Sequence, residues 1–161
     1  MAGLMGQELD VTSPAVADDA SDVAELIQHT SEAATAWMRG DIARYLALTH
    51  HARGFTLMAP NGGPPVQFAD RRSEFEGWES PFAGGEATLE ITAVHSWGDC
   101  AVLVMIERQH GRIADSPDQD LSVRVTQVYR RTTLGWEMVH RHADPLTRPL
   151  SMEQLRSLVT A

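Results

Sequence analysis

The chain has 161 residues, 43% of them hydrophobic and 22% charged, with a formal net charge of -9. That size and composition fit one compact domain with a single core, and the acidic balance excludes broad binding to nucleic-acid phosphates, which needs a basic surface. No apolar run approaches the roughly 18 residues that cross a bilayer, and the first residues lack a basic start followed by an apolar stretch, so a cytoplasmic protein with no membrane partner is expected. The lone Cys100 can form no internal disulfide and reads as a buried, inert thiol.

Residues 1–18 mix glycine, proline and small side chains without a period, and are expected to form a loose arm. From Ser21, the residues Val23, Leu26, Ile27, Thr30, Ala34, Trp37 and Met38 fall on one helical face. Asp22 and Glu25 are spaced as a capping box, and the helix should stop at Gly40. Asp41 can cap a second, shorter helix that runs down to His50 and His51. Residues 55–59 then read as a short strand and 66–68 as an edge strand, separated by a Gly- and Pro-rich turn. Asp70 is placed to cap a short helix bearing Phe75 and Trp78.

Residues 86–97 alternate, with Ala87, Leu89, Ile91, Ala93, His95 and Trp97 expected on one face. Gly98 and Asp99 turn the chain into 100–106, an apolar run that should be covered on both faces. The stretch 121–146 carries the clearest hairpin signature, two β-branched and aromatic runs around a polar turn at 132–135. Ser151 and Gln154 can cap a last helix through Leu155, Leu158 and Val159. The expected organisation is an arm at 1–18, a domain at 19–148 and a helical tail at 149–161. Helices followed by strands joined mostly by hairpins make an α+β domain in which a curved antiparallel sheet wraps around its N-terminal helices and leaves a pocket.

The hairpin residues Arg124, Thr126, Tyr129 and Arg131, followed by Gly135, Trp136, Val139, His140 and His142, carry a family resemblance, with Gly40-Asp41 as a supporting match. Over roughly residues 20 to 146 the chain resembles the nuclear transport factor 2-like superfamily, and in particular its SnoaL-like members. The same hairpin is similar to that of the association domain of calcium/calmodulin-dependent kinase, an assembly module. The resemblance implies a cone-shaped α+β domain that binds a small apolar molecule as a homodimer, without cofactor. It further implies an isomerase, cyclase or hydrolase, with a non-catalytic binding or oligomerisation module as the other class.

Strand parity sets out the candidate residues. His140 and His142 share parity with Trp136 and Met138, and with Asp144 just beyond they form a candidate acid-base group. A metal site is not expected there, because the carboxylate is too close in sequence to the histidines to close one. Glu107 is expected beside Arg124 across neighbouring strands, as an ion pair or, facing a pocket, as a base. Tyr129 can offer its hydroxyl to a carbonyl oxygen. The catalytic candidates are thus Tyr129, His142, Asp144 and Glu107, with His50 and His51 as an alternative source of a base. The candidate pocket lining is Trp37, Tyr45, Phe55, Trp78, His95, Trp97, Gln127 and Tyr129, an aromatic set interrupted by one polar amide.

Overall fold

A computed structural model describes residues 14–159. Helix α1 (Pro14–Met38) begins before the expected start, so Asp22 and Glu25 lie inside it instead of capping it. The expected arm lies outside the described residues up to residue 13, and residues 14–18 belong to α1. The helix ends in a Schellman motif, in which the amide of Gly40 donates to the Trp37 carbonyl and that of Asp41 to the Ala36 carbonyl. Gly40 has φ +74°, and a Cβ there would stand 2.6 Å from the Phe82 carbonyl oxygen. Asp41 then caps α2 (Ile42–Leu48) by accepting from the Arg44 amide at 3.0 Å.

Strands β1 (His51–Met58) and β2 (Val66–Phe68) follow, then one 3-10 turn (Ser73–Phe75) where a short helix was expected. The long strands β3 (Phe82–Trp97) and β4 (Cys100–Ile113) come next, then the two-residue β5 (Gln119–Asp120). The hairpin is formed by β6 (Val123–Thr132) and β7 (Gly135–Pro145). The last element is α3 (Met152–Val159), closed by the expected box: the Ser151 amide donates to the Gln154 side chain and the Gln154 amide to the Ser151 hydroxyl. Among the described residues no helix is long and apolar enough to cross a membrane.

The strands form one curved sheet in the order β2-β1-β7-β6-β4-β3, with β5 pairing β4. It is mixed, not wholly antiparallel, because β1 pairs with β7 in parallel. Strands β3, β4, β6 and β7 form an antiparallel meander, whereas β1 arrives from the helices and docks on the free edge of β7 in the same direction.

Two β-bulges decide which side chains face inward. In β3 the register with β4 passes from Ile91 opposite Met105 to Ala93 opposite Val104, so Thr92 is the extra residue. In β7 it passes from Met138 opposite Tyr129 to His140 opposite Val128, so Val139 is the extra residue. Directly opposed residues point to the same side, so each bulge exchanges the faces of everything beyond it. Ala87, Leu89 and Ile91 share the concave face as expected, but Ala93, His95 and Trp97 pass to the convex face. Trp136 and Met138 stay inward, whereas His140 and His142 turn outward and Arg141 turns in.

The helices cover the concave face. Leu26 of α1 packs with Phe55, Leu103, Val125, Tyr129 and Met138, and farther along Ala34 and Met38 pack with Ala87. Strand β4 is covered on that face only: Ala101, Leu103 and Met105 are buried, and Val102, Val104 and Ile106 are half-buried on the other side. Its continuous apolar run therefore marks a strand with two apolar faces, one of which lies outside the core.

Candidate functional site

The concave face holds two neighbouring polar groups in an otherwise apolar core. In the first, the buried Tyr129 hydroxyl donates to the Gln127 side-chain oxygen at 2.7 Å and lies 3.2 Å from the Thr30 hydroxyl, which donates to the Leu26 carbonyl. Thr30 sits on the buried stripe of α1, and Gln127 and Tyr129 share the inward parity of β6 with Val123 and Val125, as their alternation predicts. Burial pushes the Tyr129 hydroxyl well above the ordinary phenol range, against a smaller opposing effect from Thr30, so it stays protonated.

In the second group, both nitrogens of the Arg141 fork donate to Glu107, each at 2.7 Å, and Glu107 is only 3% exposed. Gln127 lies between them on β6, directly opposite Leu103 and Arg141. Burial opposes the charge on Arg141, but the charge and hydrogen bonds of Glu107 outweigh it and hold the guanidinium protonated. Nearby, the Tyr45 hydroxyl meets His51 Nε2 at 3.2 Å. Burial, followed by the positive charges of Arg71 and Arg141, depresses His51 to about 3, so this imidazole is neutral at physiological pH.

The expected Glu107–Arg124 pair does not form. Glu107 lies opposite Val123 and faces inward, whereas Arg124 lies opposite Ile106 and faces outward, 3.1 Å from Asp144. Asp144 also meets His142 Nε2 at 3.3 Å, and the neighbouring His140 meets the Thr56 hydroxyl at 2.7 Å. His142, Asp144 and His140 therefore make a half-buried cluster on the convex face, away from Tyr129 and Glu107. Among the described residues no group of three His, Cys, Asp or Glu side chains is placed to hold a metal ion.

Trp37, Tyr45 and Trp78 gather with Phe75, and Trp37 stacks on Trp78 with centroids 5.4 Å apart. Phe55 joins them through His51 at 4.7 Å. His95 and Trp97 are not part of this cluster: the bulge sends them to the convex face, where Trp97 is 60% exposed.

A cavity of about 450 Å3 opens between the first half of α1, the α2–β1 junction and the tip of the β6–β7 hairpin. Tyr129 and Thr30 line it, together with Leu26, Leu48, Leu134 and Trp136 on its apolar side. His29, His50, Asp22, Glu25 and Arg131 supply the polar side, with Asp22 accepting from Arg131 at 2.7 Å and Arg131 lying over the Trp136 ring. Of the residues singled out by sequence as pocket lining, only Tyr129 borders this space.

Sequence reasoning missed Arg141, Thr30 and Trp136 as site residues. Simple alternation along β7 puts Arg141 on the face opposite Met138, and only the bulge reverses it. A signal was present in Gln127, because a buried amide on an apolar strand face requires polar neighbours.

The SnoaL-like domain family matches residues 26–146. No curated protein matches the chain in sequence. Among solved structures, a nuclear transport factor 2-like superfamily protein from Salmonella enterica superposes with a TM-score of 0.68 at 17% identity, covering 84% of this chain and 98% of that one. A protein from Novosphingobium aromaticivorans, described as nuclear transport factor 2-like with a cystatin-like fold, gives 0.65 at 17% identity over 96% and 99% of the two chains. The CaMKII hub of S. rosetta gives 0.60 at 23% identity over 76% and 95%. At such identities the likeness establishes architecture, and chemistry has to be argued from this chain's own residues. The α+β cone and the match across most of the chain agree with what the hairpin motif implied: the chain belongs to the SnoaL-like domain family and has the nuclear transport factor 2-like fold.

Proposed function

We propose that this SnoaL-like chain binds a small molecule with a largely apolar body in the cavity above Tyr129, as a cytoplasmic homodimer. The observation that carries this reading is the cavity itself, about 450 Å3 with the buried Tyr129 and Thr30 among its lining residues. Small-molecule sites run from roughly 300 to 1,000 Å3 and combine apolar walls with a few convergent polar groups. Leu26, Leu48 and Trp136 supply such walls. Tyr129, kept protonated by burial, gives its one O–H to Gln127 in the free protein and supplies a donor for a carbonyl oxygen by turning that hydrogen to the ligand, and His29 and His50 stand where a proton can be exchanged with solvent. These features support a cofactor-free isomerase, cyclase or hydrolase working by acid-base chemistry. Glu107 is committed to Arg141, and His142 and Asp144 face away, so the acid-base work falls to Tyr129, His29 and His50.

The alternative, a non-catalytic assembly module, is favoured by the convex face, where Val102, Val104, Ile106 and Val128 form a half-buried apolar strip. Such a strip also supports the dimer in the first reading. The two readings part in a thermal-shift screen of neutral ketones and polyketide-like fragments. A ligand at about a hundred times its Kd stabilises by about 2.7 kcal/mol, which for a chain of this size raises Tm by about 5–10 °C. Such a rise in the native protein, lost in Trp136→Ala, is expected. No stabilising fragment, with a dimer by light scattering, would leave the assembly module.

A further inference from the structure

We propose a second binding site, outside the lining of the Tyr129 cavity, in which the guanidinium of Arg71 receives a small organic carboxylate whose flat apolar body lies against the aromatic cluster of Trp37, Phe75 and Trp78.

Three arginines among the described residues are half-buried: Arg71, Arg131 and Arg141. Two of them hold a carboxylate at 2.7 Å, Asp22 for Arg131 and Glu107 for Arg141. Among the described residues Arg71 has no carboxylate within ion-pair distance and no acceptor on its N–H groups, and it lies against two rings. Its central carbon lies 4.4 Å from the centroid of Phe68 and 4.4 Å from that of Phe75. Rings over a guanidinium take up its flat surface and restrict its rotamers, which leaves the N–H edge as the part able to meet an acceptor. That edge is the geometry that pairs bidentately with a carboxylate, and a fork already held in place loses little freedom on binding.

The surroundings favour an anion with an aromatic or otherwise flat body. Tyr45 and Glu74 are the groups whose charge acts on Arg71, and Glu74 is exposed and not paired with it. Burial, opposed by those two groups, lowers the guanidinium from its usual range, as expected of a cation taken partly out of water with no carboxylate in contact. The positive charges of Arg71 and Arg141 both reach His51, which stays neutral beside the Tyr45 hydroxyl. Next to this local positive potential, Phe75 packs edge-on against Trp37 at 6.0 Å and Trp78 at 5.4 Å. Trp78 is 38% exposed, so it forms a rim that a ligand reaches from solvent. The net charge of -9 disfavours indiscriminate anion adsorption, so a carboxylate preference that is lost with the Arg71 guanidinium reports this site.

The test is calorimetric titration of the full chain with indole-3-acetate and 2-naphthoate, beside the corresponding carboxamides and inorganic phosphate. The carboxylates should bind about tenfold or more tightly than their carboxamides and than phosphate. Arg71→Met, which keeps the stem on the two rings, should remove that preference, and Arg71→Lys should keep part of it. Carboxylates and carboxamides bound equally, no carboxylate binding, or an Arg71→Met variant that binds carboxylates like the native protein would each overturn the proposal. The first two comparisons use only the native chain and do not depend on how the variants fold. Because neutral fragments probe the Tyr129 cavity and Trp136→Ala removes only that site, failure of one reading is distinguishable from failure of the other.

Discussion

Arg141 and Arg124 both reach an acid across the same sheet, and the two faces give them different roles. On the convex side Arg124 meets Asp144, its direct cross-strand neighbour, through one nitrogen at 3.1 Å with side chains 63% and 44% exposed. On the concave side Arg141 spans a whole strand to meet Glu107 through two nitrogens at 2.7 Å, with the acid's side chain 4% exposed. Water competes for the first pair and screens it, so its net contribution is small. The second pair has given up its hydration, so each partner is held in place by the need of the other. The difference explains why the concave pair can act as a rigid backing for Gln127 and Tyr129 while the convex cluster cannot fix a reacting group.

Breaking the concave pair should give the largest effect. Glu107→Ala leaves a buried guanidinium without its acid, and urea denaturation should show a loss of about 3–5 kcal/mol. The double change Glu107→Leu with Arg141→Met should recover much of that loss, because no charge is then left alone; a double variant as unstable as the single one would mean that the pair is not what holds this face together.

A smaller loss should follow acidification. His51 titrates at about 3 when folded against 6.5 for the ordinary side chain. Between those values the unfolded chain binds a proton that the native chain does not, so this histidine's contribution to stability is complete above about pH 6.5 and falls as pH drops towards 3. The difference between native protein and His51→Gln in denaturation midpoints, measured from pH 7 to pH 4, should shift in favour of the variant.

The smallest effect belongs to the convex pair. Asp144→Ala should cost less than about 1 kcal/mol, and added salt should erase most of it. A loss comparable to that of Glu107→Ala would remove the distinction between the faces.

The elements were largely legible in the sequence, and the facing of two strands was not. The alternation of Val123, Val125, Gln127 and Tyr129 places those four side chains inward, and Gly40-Asp41 and Ser151 with Gln154 mark helix boundaries that the structure keeps. Parity fails beyond Thr92 and Val139 because a bulge adds a residue without any glycine or proline to announce it. That one event per strand moves His95, Trp97, His140 and His142 outward and brings Arg141 in. The parallel pairing of β1 with β7 was likewise hidden, since it depends on where the helices deliver the chain and not on local pattern. The cavity escaped for a related reason: it is assembled from α1, the α2–β1 junction and the hairpin tip, segments far apart in sequence.

The central claim is that the space beside Tyr129 receives a small molecule. The most direct measurement is a nitrogen-15 NMR titration of the full chain with neutral aromatic ketones. Binding there predicts saturable shifts concentrated at Leu26, Thr30 and His50 and at the Trp136 indole, with the Trp97 indole unmoved. Shifts confined to the convex strip around Val102 and Val104, or none at millimolar ketone, would contradict it.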